Sequence, residues 1–245
     1  MRPPLRPLLA PFTDTLNGLD RCLDRGVRGL AFVALGLLVG WWVYVPVHEL
    51  LHAAACRATG GEVTRLEIDR IYGGALLSRA LYFVVPASRY AGRLSGFDTH
   101  GSDLIYLATD LGPFLLTLFP GVWALRRAAA ARQGVLFGAT LPFALAPFLS
   151  LGGDAYEIGS ILVTRLPPWA APATRSLLRG DDLGRKVGEL AAAPGAPWGG
   201  ALLAVMLGVL WAFGTYALAG AVARALGQGE VRRPTVAPSP SPERR

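Results

Sequence analysis

The pentad His48-Glu49-Leu50-Leu51-His52 directly follows a long apolar run, and it constrains the fold more than any other segment of the chain. Two histidines four residues apart lie on the same face of an α-helix, so both imidazoles can bind one metal ion. Residues 29–47, which precede the pentad, contain no charged residue and are about long enough to cross a bilayer. The sequence therefore predicts a metal site at the end of a membrane-spanning helix.

The composition is that of an integral membrane protein. Hydrophobic residues make up 52% of the chain and charged residues 17%, whereas soluble domains contain about 25% charged residues. The net charge of +7 is spread over the connecting segments, which favours contact with a lipid bilayer and gives no sign of nucleic-acid binding. The abundance of Ala, Gly and Arg leads us to expect a bacterial inner (plasma) membrane protein. The first span is expected to remain as an anchor, because no cleavable signal peptide precedes it.

The pattern of uncharged segments predicts an all-α polytopic membrane protein. Residues 1–28 are expected to form an N-terminal extra-membrane segment, residues 29–226 the membrane domain that contains the pentad, and residues 227–245 a disordered tail rich in proline and arginine. Four transmembrane helices are predicted, at about 29–56, 104–125, 134–164 and 199–223.

The two long connections between spans also carry structural signals. After the first span, residues 62–69 partly alternate polar and apolar side chains, Tyr72-Gly73-Gly74 is typical of a turn, and Ala75 to Val85 would be the returning strand. This pattern predicts a small β-hairpin. After the third span, residues 174–190 are predicted to form a short surface helix, which Gly180 and Gly184 weaken.

Glu49 is the residue of the pentad best suited to catalysis. Its side chain points to a face adjacent to that of the histidines, beside the metal rather than on it. From there it can accept a proton from a water molecule that the metal activates and pass it to a leaving amine. The alternative interpretation is a helix end that reaches the membrane interface, where polar residues are tolerated.

An open catalytic zinc site has three protein ligands, so a third residue must join His48 and His52. Asp154 is one candidate, because it follows a long uncharged run and a carboxylate at that depth needs a partner. Asp154 could instead cap a helix at a broken span. Glu157, one turn further along, and His100, in a polar loop, are the other candidates.

Asp110 is a further charged residue within a predicted span. It lies about two turns into the second span and precedes Gly112-Pro113. One interpretation is that it hydrogen-bonds a metal-binding histidine and fixes its tautomer. The other is that it is a water-facing carboxylate near the start of the helix.

These motifs together resemble the site-2 protease family of intramembrane zinc metalloproteases over roughly residues 29–165. The resemblance rests on the pentad in the first span, the Gly-Pro pair in the second and an aspartate late in the third. In that family two histidines and a distal aspartate bind Zn²⁺, and the glutamate is the catalytic base. The resemblance therefore implies His48, His52 and Asp154 as zinc ligands and Glu49 as the base.

The resemblance also implies a substrate-binding element and identifies a divergent branch. Val63 to Ile71 would match the edge strand along which the family aligns an extended substrate. The family's Leu-Asp-Gly is replaced here by Gly153-Asp154-Ala155, its upstream Asn by Ala146, and the Asn after Gly-Pro by Phe114.

The leading functional hypothesis from the sequence is an intramembrane zinc metalloendopeptidase that cleaves a membrane-anchored protein. The missing asparagines favour an alternative, a non-proteolytic metal-binding membrane protein of the same fold that acts as a binding or regulatory partner. Glu49 argues against this alternative, because a protein that only holds a metal does not need a base. An ion transporter would predict repeated halves or paired broken helices, and the sequence contains neither.

Overall fold

A computed structural model describes residues 6–87 and 89–231 of the chain. The described part is mostly helical and contains one small sheet. In chain order its elements are α1 (Arg6–Cys22), α2 (Val27–Ala58), β1 (Glu62–Ile68), α3 (Gly74–Ala80), β2 (Val84–Val85), β3 (Gly92–Asp98), α4 (Asp103–Leu111), α5 (Val122–Ala130), α6 (Gly134–Ala144), α7 (Ala146–Leu149), α8 (Asp154–Val163), α9 (Pro172–Leu178), α10 (Leu183–Ala192) and α11 (Trp198–Ala225).

Three helical segments among the described residues are long and apolar enough to cross a membrane. They are α2, the segment Asp103–Ala130 that includes α4 and α5, and α11, and they correspond to the predicted first, second and fourth spans. The predicted third span, 134–164, is wrong as a continuous helix, because it is divided into α6, α7 and α8. Pro147 lacks an N–H for the helical ladder, and Gly153 adopts non-helical dihedral angles (φ −111°, ψ −116°).

Small residues bring the apolar helices into close contact. At Gly40 on α2 a Cβ atom would lie 2.6 Å from the Cα of Ala139 on α6, and at Gly138 on α6 it would lie 2.8 Å from the backbone nitrogen of Leu37. Such close packing is the usual way in which membrane helices associate, because lipid offers no hydrophobic drive between them. Helix α6 therefore lies along α2.

Close contacts at glycine residues also position the helices that carry the candidate metal site. A Cβ at Gly208 of α11 would lie 2.8 Å from the carbonyl carbon of Ala155, which follows Asp154 on α8. A Cβ at Gly112, directly after α4, would lie 2.8 Å from the Cβ of Ala55 on α2. Helices α8 and α4 are thus each seated against a long apolar helix.

The sheet between the first two spans differs from the predicted hairpin. It has three strands in the order β2-β1-β3, with β1 parallel to β2 and antiparallel to β3. The predicted returning strand Ala75 to Val85 is wrong over most of its length, because residues 74–80 form α3. Gly73 reverses the chain in the left-handed region (φ 83°), and the alanines and leucines that follow favour a helix.

The identity of the edge strand also differs from the expectation. Val63 to Ile71 was assigned to an edge strand by the resemblance, but β1 is the central strand, and β2 and β3 are the edge strands among the described residues. Strand β3 reads Gly-Arg-Leu-Ser-Gly-Phe-Asp. Its two glycines remove the apolar alternation by which a strand is recognised in a sequence.

The predicted surface helix at 174–190 is divided into two. Helix α9 ends at Leu178 and α10 begins at Leu183, because Gly180 between them has a positive φ of 154°. The amide of Leu183 donates to the carbonyl of Gly152, with 2.8 Å between the two atoms. This bond attaches the α9–α10 segment to the loop that precedes α8.

An ion pair joins the N-terminal helix to the membrane helices. Asp14 of α1 and Arg126 of α5 are almost fully buried, and Asp14 Oδ2 lies 2.7 Å from Arg126 Nη2. The Tyr216 hydroxyl of α11 donates to the same carboxylate, and so does the amide of Val231. Residues 227–231 of the predicted disordered tail are described, and Val231 among them contacts Asp14 of α1. Residues 232–245 lie outside the described residues.

Candidate metal centre

Three side chains from two distant parts of the chain meet at one point. His48 and His52 lie one turn apart on α2, and Asp154 is the first residue of α8. The two Nε2 atoms are 3.2 Å apart, and the Asp154 carboxylate oxygens lie 3.2 Å from His48 Nε2 and 3.4 Å from His52 Nε2. Both histidines are more than nine-tenths buried. This group could bind a metal ion.

The outer contacts of the imidazoles turn their Nε2 atoms toward one another. His52 Nδ1 lies 2.8 Å from the backbone carbonyl oxygen of Thr109 on α4. A carbonyl can only accept, so Nδ1 carries the proton and Nε2 of the neutral ring presents a lone pair. His48 Nδ1 lies 2.9 Å from the Tyr44 hydroxyl, which can accept in the same way. Two lone pairs and a carboxylate then face one another, an arrangement that favours a cation between them.

The spacing of the three groups fits zinc. Ligand atoms about 2.0–2.2 Å from a tetrahedral Zn²⁺ lie roughly 3.3–3.6 Å from each other, close to the three separations of 3.2, 3.2 and 3.4 Å. Asp154 Oδ2 is buried and faces the imidazole of His48, with 3.2 Å between Oδ2 and His48 Nε2. If these three residues alone held a tetrahedral metal ion, one position on the ion would stay open.

Local backbone structure delivers Asp154 to the histidines. The amide of Ala155 donates to the carbonyl of Ser150 at 3.1 Å, and the amide of Gly153 donates to the same carbonyl at 3.0 Å. The chain therefore turns tightly through Gly152 and Gly153 before α8 begins. Glycine tolerates the sharp backbone bend that this turn requires, because it has no Cβ atom.

Glu49 lies in a cleft beside the three candidate ligands. The cleft has a volume of about 670 Å³, and both His52 and Asp154 line it together with Glu49. Gly92 of β3 faces the glutamate, and a Cβ atom there would lie 3.0 Å from Glu49 Cδ. The missing side chain at Gly92 thus leaves the space that the carboxyl group occupies.

Besides α2, which contributes Glu49 and His52, four parts of the fold line the cleft. Residues 92–95 of β3 form one wall, α4 and the start of α8 form two others, and residues 179–182 between α9 and α10 form the fourth. Arg93 Nε lies 3.1 Å from Asp181 Oδ2, so an ion pair joins β3 to the 179–182 loop. A free strand edge therefore lies beside the candidate metal ligands.

The other candidate ligands do not join the group. His100 lies in the loop between β3 and α4, where Asp98 is its ionic partner at 3.5 Å. Glu157 accepts a hydrogen bond from the Tyr106 hydroxyl. Asp110 makes no hydrogen bond to a histidine, and the carbonyl of its neighbour Thr109 holds His52 instead.

Two residues that orient the histidines were missed by the sequence analysis. Tyr44 lies four residues before His48 on the same helix face, and this spacing was a signal that could have identified it. Thr109 contributes only its backbone carbonyl, for which side-chain identity gives no signal. Comparison of the chain with protein-family models, curated proteins and solved structures gives no significant match.

Proposed function

We propose that this chain is an intramembrane zinc endopeptidase, a divergent relative of the site-2 proteases, that cleaves a membrane-anchored protein in a bacterial inner membrane. The observation that carries the proposal is the convergence of His48, His52 and Asp154 beside the carboxyl group of Glu49. A structural metal site needs no free carboxylate in an adjoining cleft. A hydrolytic site needs a base at that position.

Each residue of the group has a chemical task in this proposal. His48, His52 and Asp154 would hold Zn²⁺, which when bound supplies Lewis-acid activation of water and of the scissile carbonyl. Glu49 accepts the proton of the attacking water and delivers it to the leaving amine. Tyr44 and the Thr109 carbonyl keep the two imidazoles oriented.

The strand β3 supports a peptide substrate in particular. Residues 92–95 line the cleft, and no strand pairs with the outer edge of β3 in the described part of the chain. An extended peptide can add to such an edge through main-chain hydrogen bonds. A transmembrane helix must unwind before its peptide bonds can be attacked, and a strand edge stabilises the unwound segment.

The alternative function is metal binding without proteolysis. It is favoured by Ala146 and Phe114, which stand where the resembling family has asparagines. Neither side chain can donate a hydrogen bond to an oxyanion, so any such donor must be a backbone amide or another residue. The presence of Glu49 favours the peptidase instead, because a protein that only holds a metal does not need a base.

Glu49→Gln tests the two functions against each other. The variant should retain zinc and lose about 10²- to 10⁴-fold of the cleavage rate, because general acid–base catalysis contributes that much. Cleavage of a co-expressed single-span membrane protein is measured by immunoblot, and zinc by mass spectrometry. Glu62→Gln, at an exposed glutamate of β1, is the matched control. Equal cleavage by wild type and Glu49→Gln, or none by either, would contradict the peptidase.

A further inference from the structure

Two buried carboxylates in the cleft have no task in the proposed chemistry. Asp110 is 3% exposed and Glu157 is 6% exposed, and both line the same cleft as Glu49 and Asp154. Asp110 Oδ2 is buried and has no hydrogen-bond partner among the described residues. Glu157 has the Tyr106 hydroxyl as a partner, which is neutral and leaves the carboxylate without a counter-charge.

The basic residues of the cleft are engaged elsewhere. Arg179 Nη1 lies 2.6 Å from Asp103 Oδ1, and Arg185 Nη1 lies 3.4 Å from Glu189 Oε1. Arg93 pairs with Asp181 across the mouth of the cleft. Each arginine that lines the cleft thus has a carboxylate partner other than Asp110 and Glu157.

A buried carboxyl group without a hydrogen-bond partner is costly, and a ligand that supplies hydrogen-bond donors and positive charge would offset that cost. We propose that Asp110 and Glu157 form a subsite that binds the guanidinium or ammonium group of a basic substrate side chain. This inference rests on the proposed function, since the basic side chain belongs to the peptide being cleaved. The substrate class is then a membrane protein with an arginine or lysine close to the scissile bond.

The composition of the subsite favours a basic side chain over a second metal ion. Among the described residues, the one group of three metal-binding side chains is His48, His52 and Asp154. The Tyr106 hydroxyl donates to Glu157, so its one proton is used there and it occupies part of the acceptor capacity of that carboxylate. Two carboxylates can accept several N–H groups of an organic cation, whereas a divalent ion needs more oxygen ligands than they supply.

The position of the subsite explains how it would select the cleavage point. Glu157 lies three residues after Asp154 on α8, and Asp110 directly follows Thr109, whose carbonyl holds His52. The subsite therefore adjoins the candidate metal ligands. A basic side chain bound there fixes which neighbouring peptide bond of an extended substrate reaches Glu49.

Peptide cleavage is the first arm of the test. A diverse library of short peptides is incubated with the zinc-loaded full-length protein in micelles, and cleaved bonds are identified by mass spectrometry. The wild type should prefer Arg or Lys over Gln or Met at one fixed position by about tenfold or more, as expected of a hydrogen bond to a charged group. Asp110→Asn should lose this preference. Asp98→Asn, at an exposed aspartate of β3 outside the cleft, should keep it.

Ligand binding is the second arm, and it needs no cleavage. Butylguanidinium and its neutral near-isostere butylurea are titrated into the wild type, Asp110→Asn and Glu157→Gln. The wild type should bind the guanidinium at least about tenfold more tightly than the urea, and both variants should reduce that ratio toward one. The zinc content of the variants, one ion per chain, checks that the fold around His52 persists.

The two arms distinguish the failure of this inference from the failure of the proposed function. Cleavage without any preference for a basic residue, or equal binding of butylguanidinium and butylurea, overturns the subsite and leaves the peptidase standing. A second zinc ion in the wild type that Asp110→Asn removes overturns it in favour of a metal. A guanidinium preference without cleavage of any peptide supports the subsite and contradicts the peptidase.

Discussion

The carbonyl oxygen of Thr109 lies 2.8 Å from Nδ1 of His52, so the backbone of α4 fixes the ring that α2 presents to the candidate metal centre. Tyr44 gives His48 the corresponding contact from within α2, at 2.9 Å. Each histidine thus has one ring nitrogen held by the protein and the other turned toward Asp154. This arrangement restricts the rotation of the imidazoles and fixes which nitrogen of each ring faces the candidate metal position.

Removal of the Tyr44 hydroxyl tests the importance of that orientation. Tyr44→Phe should weaken zinc binding about 10- to 100-fold, the usual loss when a group that orients a ligand is removed. Competition with a fluorescent zinc chelator measures the affinity. Tyr82→Phe, at a tyrosine that is 85% exposed, is the matched control and should bind zinc as the wild type does. An unchanged affinity in Tyr44→Phe would mean that His48 is oriented by other contacts.

A side chain added next to Glu49 tests the role of Glu49 as the base without replacing Glu49 itself. In Gly92→Ala the new Cβ would lie 3.0 Å from Glu49 Cδ and must displace the carboxyl group. Cleavage should fall by up to about 100-fold, because a displacement of about 1 Å can cost that much, whereas zinc content should stay at the wild-type value. Gly188→Ala is the control, since nothing lies within 4 Å of a Cβ at that position. Full activity in Gly92→Ala would argue against Glu49 as the base.

The buried ion pair between Asp14 and Arg126 predicts a large effect on stability. Asp14→Ala leaves the guanidinium of Arg126 buried without its partner, and it should lower the free energy of unfolding by about 3–5 kcal/mol. Asp20→Ala, at an exposed aspartate of the same helix, should change it by no more than about 0.5 kcal/mol. Denaturant titration in detergent micelles compares the two. A loss of less than about 1 kcal/mol in Asp14→Ala would show that α1 is held mainly by apolar contacts.

The sequence allowed the prediction of the long apolar helices and of the residues that meet at the candidate metal centre. Three spans follow from hydropathy alone, because membrane helices satisfy their own backbone groups. The i, i+4 spacing of His48 and His52 could also be recognised in the sequence, and so could the position of Asp154 after a long uncharged run. These signals depend on side-chain chemistry and local periodicity, which a single sequence contains.

The remaining features depend on contacts between distant segments. The break of the predicted third span follows from Pro147 and Gly153, but whether glycines bend a helix depends on the helices packed against it. Strand β3 has two glycines and little alternation, so its pairing with β1 carried no local signal. The contact between Thr109 and His52 uses a backbone carbonyl that every residue possesses.

Metal content is the measurement that tests the central claim most directly. The full-length wild type and Asp154→Ala are purified side by side from zinc-supplemented medium and analysed by inductively coupled plasma mass spectrometry. The wild type should contain one zinc ion per chain, and Asp154→Ala should contain far less, because two imidazoles alone hold zinc poorly. A wild type without zinc, or an Asp154→Ala variant with undiminished zinc, would contradict a site formed by His48, His52 and Asp154.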